Sequence, residues 1–438
     1  MALSGWFVLA LAVGVVPIIA FDSPLALIAW LVLVLALATL DVVLAGSPRA
    51  VRIARVLPSR VRLGETVPSE VLVTNTGRRR IRGQLRDAWQ PSAGAADTRV
   101  RISIPSGERR AAITRLTPFR RGERASAQVT VRSFGPLRLA ARQATIVVPG
   151  AIRVLPAFTS RRHLPSRLAR LRELDGRTSV LIRGKGTEFD SLREYVRGDD
   201  VRSIDWRATA RRTDPSTGAG PSLVVRTWRP ERDRRVVIVV DSGRTAAARI
   251  DREPRIDTAF ESALLLAALA DRAGDHVDFV AYDRRVRGRV QGASGAELLS
   301  RLVDAMAPIE PELIELDWGA VPGLVRSMTA QRALVVLATS IDSPGASRGL
   351  LAVLPQLTRK HLVVVSSVVD PDVLAARAER GNRTEIFRAA AAERALLDIA
   401  RVSAAIRQLG AEVVTGSPAD LPPALADRYI ALKAAGLL

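Results

Sequence analysis

Apolar residues crowd the start of this chain. Gly5–Phe21 is an unbroken apolar run, Pro24–Leu40 is a second, and Asp22-Ser23-Pro24 lies between them. At about 1.5 Å per residue each run reaches roughly 25 Å as a helix, close to the hydrocarbon thickness of a bilayer. The pattern predicts a two-helix transmembrane hairpin over 1–46, with Asp41 near its exit, where a carboxylate can reach the interface. A cleaved signal peptide fits less well, because no basic residue precedes the first run and a second run follows at once. Arg49, Arg52, Arg55, Arg60 and Arg62 come after the second run, and no arginine precedes the first. The positive-inside rule then puts both ends and the soluble remainder in the cytoplasm, on the inner membrane. Those arginines can also meet anionic lipid headgroups.

Over 47–157 the apolar period changes to two. Alternating runs recur at Val51–Val56, Glu70–Thr74, Arg99–Ile104, Ala111–Leu116, Ala127–Val131 and Ala144–Val148, separated by turn signals such as Asn75-Thr76-Gly77, Pro105-Ser106-Gly107 and Phe134-Gly135-Pro136. Short strands at regular spacing predict an all-β, immunoglobulin-like sandwich. Residues 158–235 form a basic connector, with a helix expected from Pro165 to Leu174. From 236 to 438 strands and helices alternate. Strands are expected at Val236–Val240, His276–Tyr282, Ala333–Ala338, Leu362–Val368 and Ala411–Val414. Helices are expected at Ile256–Ala273, Ala296–Ala307, Val321–Met328, Ala389–Leu409 and Leu421–Ala435. That order predicts an α/β domain of the doubly wound, Rossmann type around a parallel sheet.

Composition removes several chemistries. The 438 residues contain no Cys and three His, at His163, His276 and His361. Thiolate sites, cysteine nucleophiles and disulfides are excluded, and a histidine cluster or a Ser-His-Asp triad is disfavoured. The net charge of +21 is carried almost wholly by Arg, with Lys only at Lys185, Lys360 and Lys433. Arg with abundant Ala and Val is also what a GC-rich genome produces, so the arginines are not read as placed one by one. No GxxxxGK[ST] motif is present, so the chain is not expected to hydrolyse ATP.

Two regions can carry chemistry. Gly186–Arg212 packs charges of both signs around Tyr195 and Trp206. Its acids each have an arginine nearby in sequence, which favours an ion-pair network over a general acid/base pair. Between those readings stands partner docking through Glu188, Arg193, Tyr195, Asp199, Asp200, Arg202, Asp205 and Trp206, although Trp206 is read first as a core residue fastening the loop. The second region is the carboxyl edge of the predicted sheet, where open α/β folds bind ligands. It carries Asp241-Ser242-Gly243-Arg244-Thr245, Asp283 and Thr339-Ser340-Ile341-Asp342. Carboxylates and hydroxyls are the oxygen donors that Mg²⁺ or Ca²⁺ prefers.

At this point the chain resembles a family. Residues 236–438 look like a von Willebrand factor A-like domain, and the whole layout resembles the bacterial family called domain of unknown function 58. The resemblance is carried by Gly186–Phe189, Leu192–Tyr195, Gly198-Asp199-Asp200, Arg202, Ile204-Asp205-Trp206 and Ala208–Arg211, with Asp241 and the Ala273-Gly274-Asp275 turn agreeing. It implies a protein-binding domain, often with a metal held by a DxSxS motif plus a distant Thr and Asp, and partnership with AAA+ ATPases of the MoxR type in envelope-related or complex-assembly processes. It implies no enzymatic reaction. The metal motif is degenerate: Asp241 and Thr245 match its ends, Gly243 replaces the middle hydroxyl, and Ser340 stands where the distant Asp is expected. A weak Mg²⁺ or Ca²⁺ site would need Ser242 or Asp342 to substitute. The leading expectation is a membrane-anchored, cytoplasm-facing binding or scaffold protein. The alternatives are a membrane-tethered binder of nucleic acid or anionic lipid, with nucleic acid disfavoured by few aromatics and no reading motif, and a metal-dependent hydrolase using Asp241, Asp342 and the Gly198–Asp205 acids at one edge.

Overall fold

The computed structural model describes residues 2–21, 23–178, 188–196, 201–212, 223–229, 234–251 and 253–438. The chain divides into two compact units, Met1–Ala157 with Met306–Glu310, and Phe158–Ala305 with Pro311–Leu438.

In the first unit the leading apolar run is not one helix. It forms α1 (Gly5–Val13) and α2 (Val15–Phe21), which meet at Gly14, and α3 (Pro24–Leu44) follows. Gly14 lies against Trp30, where a Cβ would come within 2.3 Å of the indole, and the Trp30 indole N–H donates to the Ala10 carbonyl at 3.0 Å. Among the described residues, only α3, with 21 residues, is long and apolar enough to cross a membrane. All three helices leave large apolar side chains uncovered, among them Ile19 at 76% exposure and Leu25 at 73%.

The rest of this unit is two β-sheets. A three-stranded sheet joins β1 (Val51–Val56), β3 (Val67–Asn75) and β6 (Arg109–Leu116). The other joins β4 (Ile81–Trp89), β5 (Arg99–Ile104), β7 (Gly122–Phe134) and β8 (Ala140–Leu155), with β2 (Arg60–Arg62) and Ala2–Leu3 added along β8. Alternation along each strand turns Val71, Val73 and Ala112 of the small sheet against Ile81, Leu85, Ile104, Val129 and Val131 of the large one. That interdigitation makes a sandwich. Strand β4 was not expected, because its sequence IRGQLRDAW sets Gly, Gln and Asp among the apolar positions.

One of those polar positions is a buried ion pair. The Arg55 guanidinium binds both Asp87 oxygens, at 2.7 and 2.8 Å, with side chains only 4% and 0% exposed. Asp87 also accepts from Ser126 Oγ at 2.9 Å, Ser69 Oγ at 3.2 Å and Trp89 Nε1 at 2.7 Å. The guanidinium carbon lies 5.2 Å from the Trp89 ring centre. Gly150 makes room for it, since a Cβ there would sit 2.3 Å from Arg55 Cδ. Arg55 therefore joins the two sheets and does not reach lipid, contrary to the sequence reading. Arg121 and Arg124 are buried too. At least these arginines are therefore placed individually.

In the second unit a six-stranded sheet runs β13-β12-β11-β14-β15-β16, made from β11 (Arg235–Asp241), β12 (His276–Tyr282), β13 (Val286–Val290), β14 (Leu334–Ala338), β15 (Leu362–Val368) and β16 (Glu412–Gly416). All neighbours are parallel except the edge strand β13, a short hairpin return from β12. Parallel strands covered on both faces read as continuous apolar runs, and VVIVVD and LVVLA do so. One face is covered by α6 (Arg255–Arg272), with α12 (Leu421–Ala434) and α4 (Leu164–Thr178) packed beside it. Phe260, Leu264, Leu265, Leu266 and Leu269 of α6 are all 0% exposed, each worth about 1.5–3 kcal/mol on burial. The other face packs Val321, Val325, Leu350, Leu354, Val402 and Ile406, from α8 (Val321–Met328), α9 (Arg348–Thr358) and α11 (Arg383–Gln408). Gly410, at φ +81°, takes the left-handed turn after α11.

The basic segment after Phe158 packs within this unit. Glu261 of α6 accepts from Ser160 N at 2.5 Å, and Asp427 of α12 accepts from Arg167 at 2.7 Å and Arg170 at 2.9 Å.

Candidate functional site

Strand order locates the first candidate edge. The chain steps from β11 outward to β12, then returns to β14 on the other side of β11, so the order reverses between β11 and β14. Crevices at such reversals are where open α/β sheets take ligands. Val240 pairs with Ala338 across that reversal, which sets Asp241 and Thr339 side by side. Asp241 Oδ2 accepts from Thr339 Oγ1 at 2.8 Å and Thr245 Oγ1 at 3.2 Å, while Oδ1 accepts the Gly243 N–H at 2.8 Å. A cleft of about 250 Å³ opens here, lined by Asp241, Thr245, Glu315, Trp318, Thr339 and Asp342 among others. Gly243 is required by close approach, since a Cβ would lie 2.7 Å from the Ile314 carbonyl, to which Arg244 N donates at 2.8 Å.

Of the other two oxygen donors expected from sequence, only Asp342 lines this cleft. Ser242 turns away and donates to Asp283 Oδ2 at 3.3 Å. Asp283 is further engaged by Arg287 Nε at 2.6 Å and the backbone N–H of Arg285 at 3.0 Å. Asp342 accepts from Ser340 Oγ at 2.9 Å and faces Arg255 at 3.5 Å. Thr339, seen only as part of the strand-end segment, is the residue the site reading missed. Its signal was its position directly after the third strand, beside the strand that ends in Asp241.

Charges follow from these contacts. Burial pushes the Asp241 carboxyl up, against the opposing effect of the Gly243 N–H and the Thr339 and Thr245 hydroxyls. Burial alone would raise Asp283 as well, but the Arg287 guanidinium and the N–H groups of Arg284 and Arg285 outweigh it and hold its pKa low. For a divalent cation, Asp241, Thr245 and Thr339 converge as three oxygen-bearing side chains, one of them a carboxylate. Mg²⁺ demands near-octahedral oxygen coordination, and among the described residues no group of three His, Cys, Asp or Glu lies together to hold a metal. The residues present do not by themselves fit a tight cation site.

The second candidate is the charged signature. Strands β9 (Glu188–Glu194) and β10 (Val224–Arg229) form an antiparallel hairpin, and Ile204 bridges to Val225. Asp205 caps α5 (Trp206–Arg212), accepting the Ala208 N–H at 3.0 Å. It also binds Arg226 Nε at 2.7 Å. Its carboxyl is held below the usual range, first by the Ala208 N–H and then by Arg226. The ion-pair reading thus holds for Asp205, but its partner comes from the facing strand, not from a sequence neighbour. Thr209 Oγ1 accepts the Val224 N–H at 3.1 Å and ties α5 to the hairpin.

The expectation of a core role for Trp206 is overturned. Its side chain stands 67% exposed at the first turn of α5. Val201 at 64%, Val196 at 62% and Leu192 at 41% are exposed in the same segment. Tyr195 is half-buried, with its backbone N–H bonded to Leu223 O at 2.7 Å, and Arg202 is exposed. Asp199 and Asp200 lie outside the described residues. Glu188 and Arg193 are placed on β9 by backbone alone.

Comparison with known proteins agrees with the signature. Residues 191–382 match the family model described as protein of unknown function DUF58. The resemblance read from Leu192–Tyr195, Ile204-Asp205-Trp206 and Ala208–Arg211 is borne out there. An uncharacterised protein of Mycobacterium bovis and another of Mycobacterium tuberculosis are each 26% identical over 256 residues, covering 54% of this chain and 76% of the relative. Among solved structures, the SpRpn10 VWA domain aligns at a TM-score of 0.26 and 8% identity, over 46% of this chain and 94% of that one. A beta-glucosidase from Listeria innocua aligns at 0.17 and 15% identity, over 24% of this chain and 16% of that one. At such scores neither likeness carries an argument.

Proposed function

We propose that this protein is a membrane-anchored, cytoplasm-facing docking protein with a von Willebrand A-like domain, and that its signature segment binds a protein partner, an AAA+ ATPase of the MoxR type. In this reading α1–α2 and α3 form the membrane hairpin. The apolar side chains that these helices leave uncovered support a lipid setting, since soluble surfaces do not expose apolar stretches of that size.

The observation that carries the docking role is the exposure of Trp206. An indole standing in solvent beside a capped, ion-paired turn is the kind of anchor that dominates protein interfaces. Leu192, Val196 and Val201 add apolar area, and the Asp205–Arg226 pair supplies a fixed polar neighbour. The Asp241 cleft is a second, polar edge with its carboxylate already engaged by N–H and O–H donors, which favours the signature as the principal interface.

Crosslinking in native membranes tests this, with Trp206→Ala and Asp241→Ala in parallel. Capture of an AAA+ ATPase that is lost in Trp206→Ala and kept in Asp241→Ala is the expected result. Loss in Asp241→Ala alone would move the interface to the sheet edge. Recovery of nucleic acid without a protein partner would overturn the docking role and leave the nucleic-acid alternative standing.

A further inference from the structure

Both ends of the apolar helical segment close on one turn of the sandwich. At its start, Ser4 N donates to Leu139 O at 3.0 Å and Ser4 Oγ to Arg138 O at 2.5 Å. Ala2 and Leu3 pair with Ala141 and Ala140. At its end, Asp41 of α3 is 0% exposed and accepts the N–H groups of Leu137 at 2.8 Å and Ala140 at 3.0 Å. Gly135 is pressed so close that a Cβ would come within 2.1 Å of the Asp41 carboxylate. The turn between β3 and β4 is tied to the same helix end: the Arg79 guanidinium donates to the Val43 carbonyl, and a Cβ on Gly46 would meet the Arg80 carbonyl at 2.6 Å.

These ties leave a particular set of side chains outside. Leu137 is 47% exposed, and Arg49, Arg78, Arg79, Arg80 and Arg138 are all exposed. Neither turn, Gly77–Arg80 or Gly135–Arg138, contains an acidic residue. Arg138 holds a left-handed φ of 59°, sparsely populated for a residue with a Cβ, and Ser4 fixes its carbonyl. The turn is set in shape before anything binds it.

We propose that these two turns form a contact for anionic phospholipid at the bilayer interface, with Leu137 entering the boundary between headgroups and acyl chains and Arg79, Arg80 and Arg138 pairing with the phosphates. The inference rests on the membrane-anchor reading. If α3 crosses a bilayer, its last turn lies at headgroup level, and a turn bonded to Asp41 lies there with it. Basic residues at that depth attract anionic lipid, and an apolar side chain beside them adds interfacial burial.

The chain has no cysteine, so single-cysteine labels report cleanly. A fluorophore is placed at Leu137→Cys, Leu33→Cys or Val147→Cys in the full-length protein. The protein is reconstituted in phosphatidylcholine vesicles with and without phosphatidylglycerol, and lipid-borne bromine quenches the label. Leu33 is 48% exposed in the middle of α3, and Val147, 79% exposed, stands roughly 23 Å along β8 from the turn. The expected result is deep quenching at 33, headgroup-level quenching at 137 and none at 147. Brominated phosphatidylglycerol should quench 137 more than brominated phosphatidylcholine does. That preference should fall about fivefold per arginine in the series R79Q, R80Q and R138Q. No quenching at 137 with quenching at 33 overturns the proposal and leaves the anchor standing, whereas no quenching at 33 overturns the anchor itself. Equal quenching by the two lipids at 137 overturns the anionic-lipid contact.

Discussion

Removing the Asp87 carboxylate should unfasten the sandwich. Asp87→Ala leaves the Arg55 guanidinium without its bidentate partner at a position where its side chain is 4% exposed. It also strands Ser69, Ser126 and the Trp89 indole N–H, all of which donate to that carboxylate. Breaking one side of a buried pair costs about 3–5 kcal/mol, mostly through the charge left behind. At about 1.4 kcal/mol per decade, that is a loss of roughly two to three and a half decades in hydrogen-exchange protection across residues 81–89. Hydrogen exchange on the full-length protein in detergent reads it directly. The double variant R55M/D87L removes both partners together, so it should recover most of the loss. Protection falling by less than tenfold in Asp87→Ala, or a double variant as damaged as the single one, would refute the reasoning.

Three further outcomes follow from the second unit. Lys433→Met should cost about 3–5 kcal/mol in chemical denaturation, because it removes the cation from a pair with side chains 5% and 3% exposed and leaves the buried Asp275 carboxylate bonded to the neutral Tyr429 hydroxyl. Burial raises the Asp241 pKa, so stability from this group is fullest below about pH 4, its unfolded value, and is lost as pH rises through the folded one. Asp241→Asn should therefore melt no lower than the parent at pH 7.5 and flatten that pH slope, and MgCl₂ should leave the melting temperature of both unchanged. A large stabilisation by Mg²⁺ in the parent alone would show that the carboxylate serves a cation. Asp205 has the opposite sign: its pKa is lowered, so its contribution is present above about pH 4 and lost as pH falls through the folded value. Fluorescence of a variant keeping Trp206 as its only tryptophan should show α5 loosening on acidification, and Asp205→Ala should show the loosened state already at neutral pH.

The sequence was most legible where one physical signal dominated. Strands β11 and β14 read directly as uninterrupted apolar runs, β15 as a Val-rich run broken by Ser366 and Ser367, and α6 as a helix apolar nearly all round. Strand β4 was not legible, because Asp87 and Gly83 break its alternation for tertiary reasons: a buried arginine must be matched, and Gly83 lies where a Cβ would meet the Arg132 carbonyl at 1.8 Å. The break between α1 and α2 was hidden for a similar reason, since Gly14 is demanded by a tryptophan sixteen positions later in the chain. Asp241 was found from its strand end, but the turning of Ser242 toward Asp283 depends on a neighbouring strand. Trp206 was misjudged because composition alone favours burying an indole, and only the capped turn that presents it shows otherwise.

The pairing of Ala2 and Leu3 with Ala141 and Ala140 also orders events during synthesis. Once synthesised, Ala2 and Leu3 wait for a strand encoded some 140 positions later. At about 5–20 residues per second that delay is on the order of ten seconds. The apolar helices are complete long before it ends, so they must find their surroundings while the sheet that will hold both their ends does not yet exist. Closure of the β7–β8 hairpin is then the event that locks the already delivered Ala2–Leu3 segment in place.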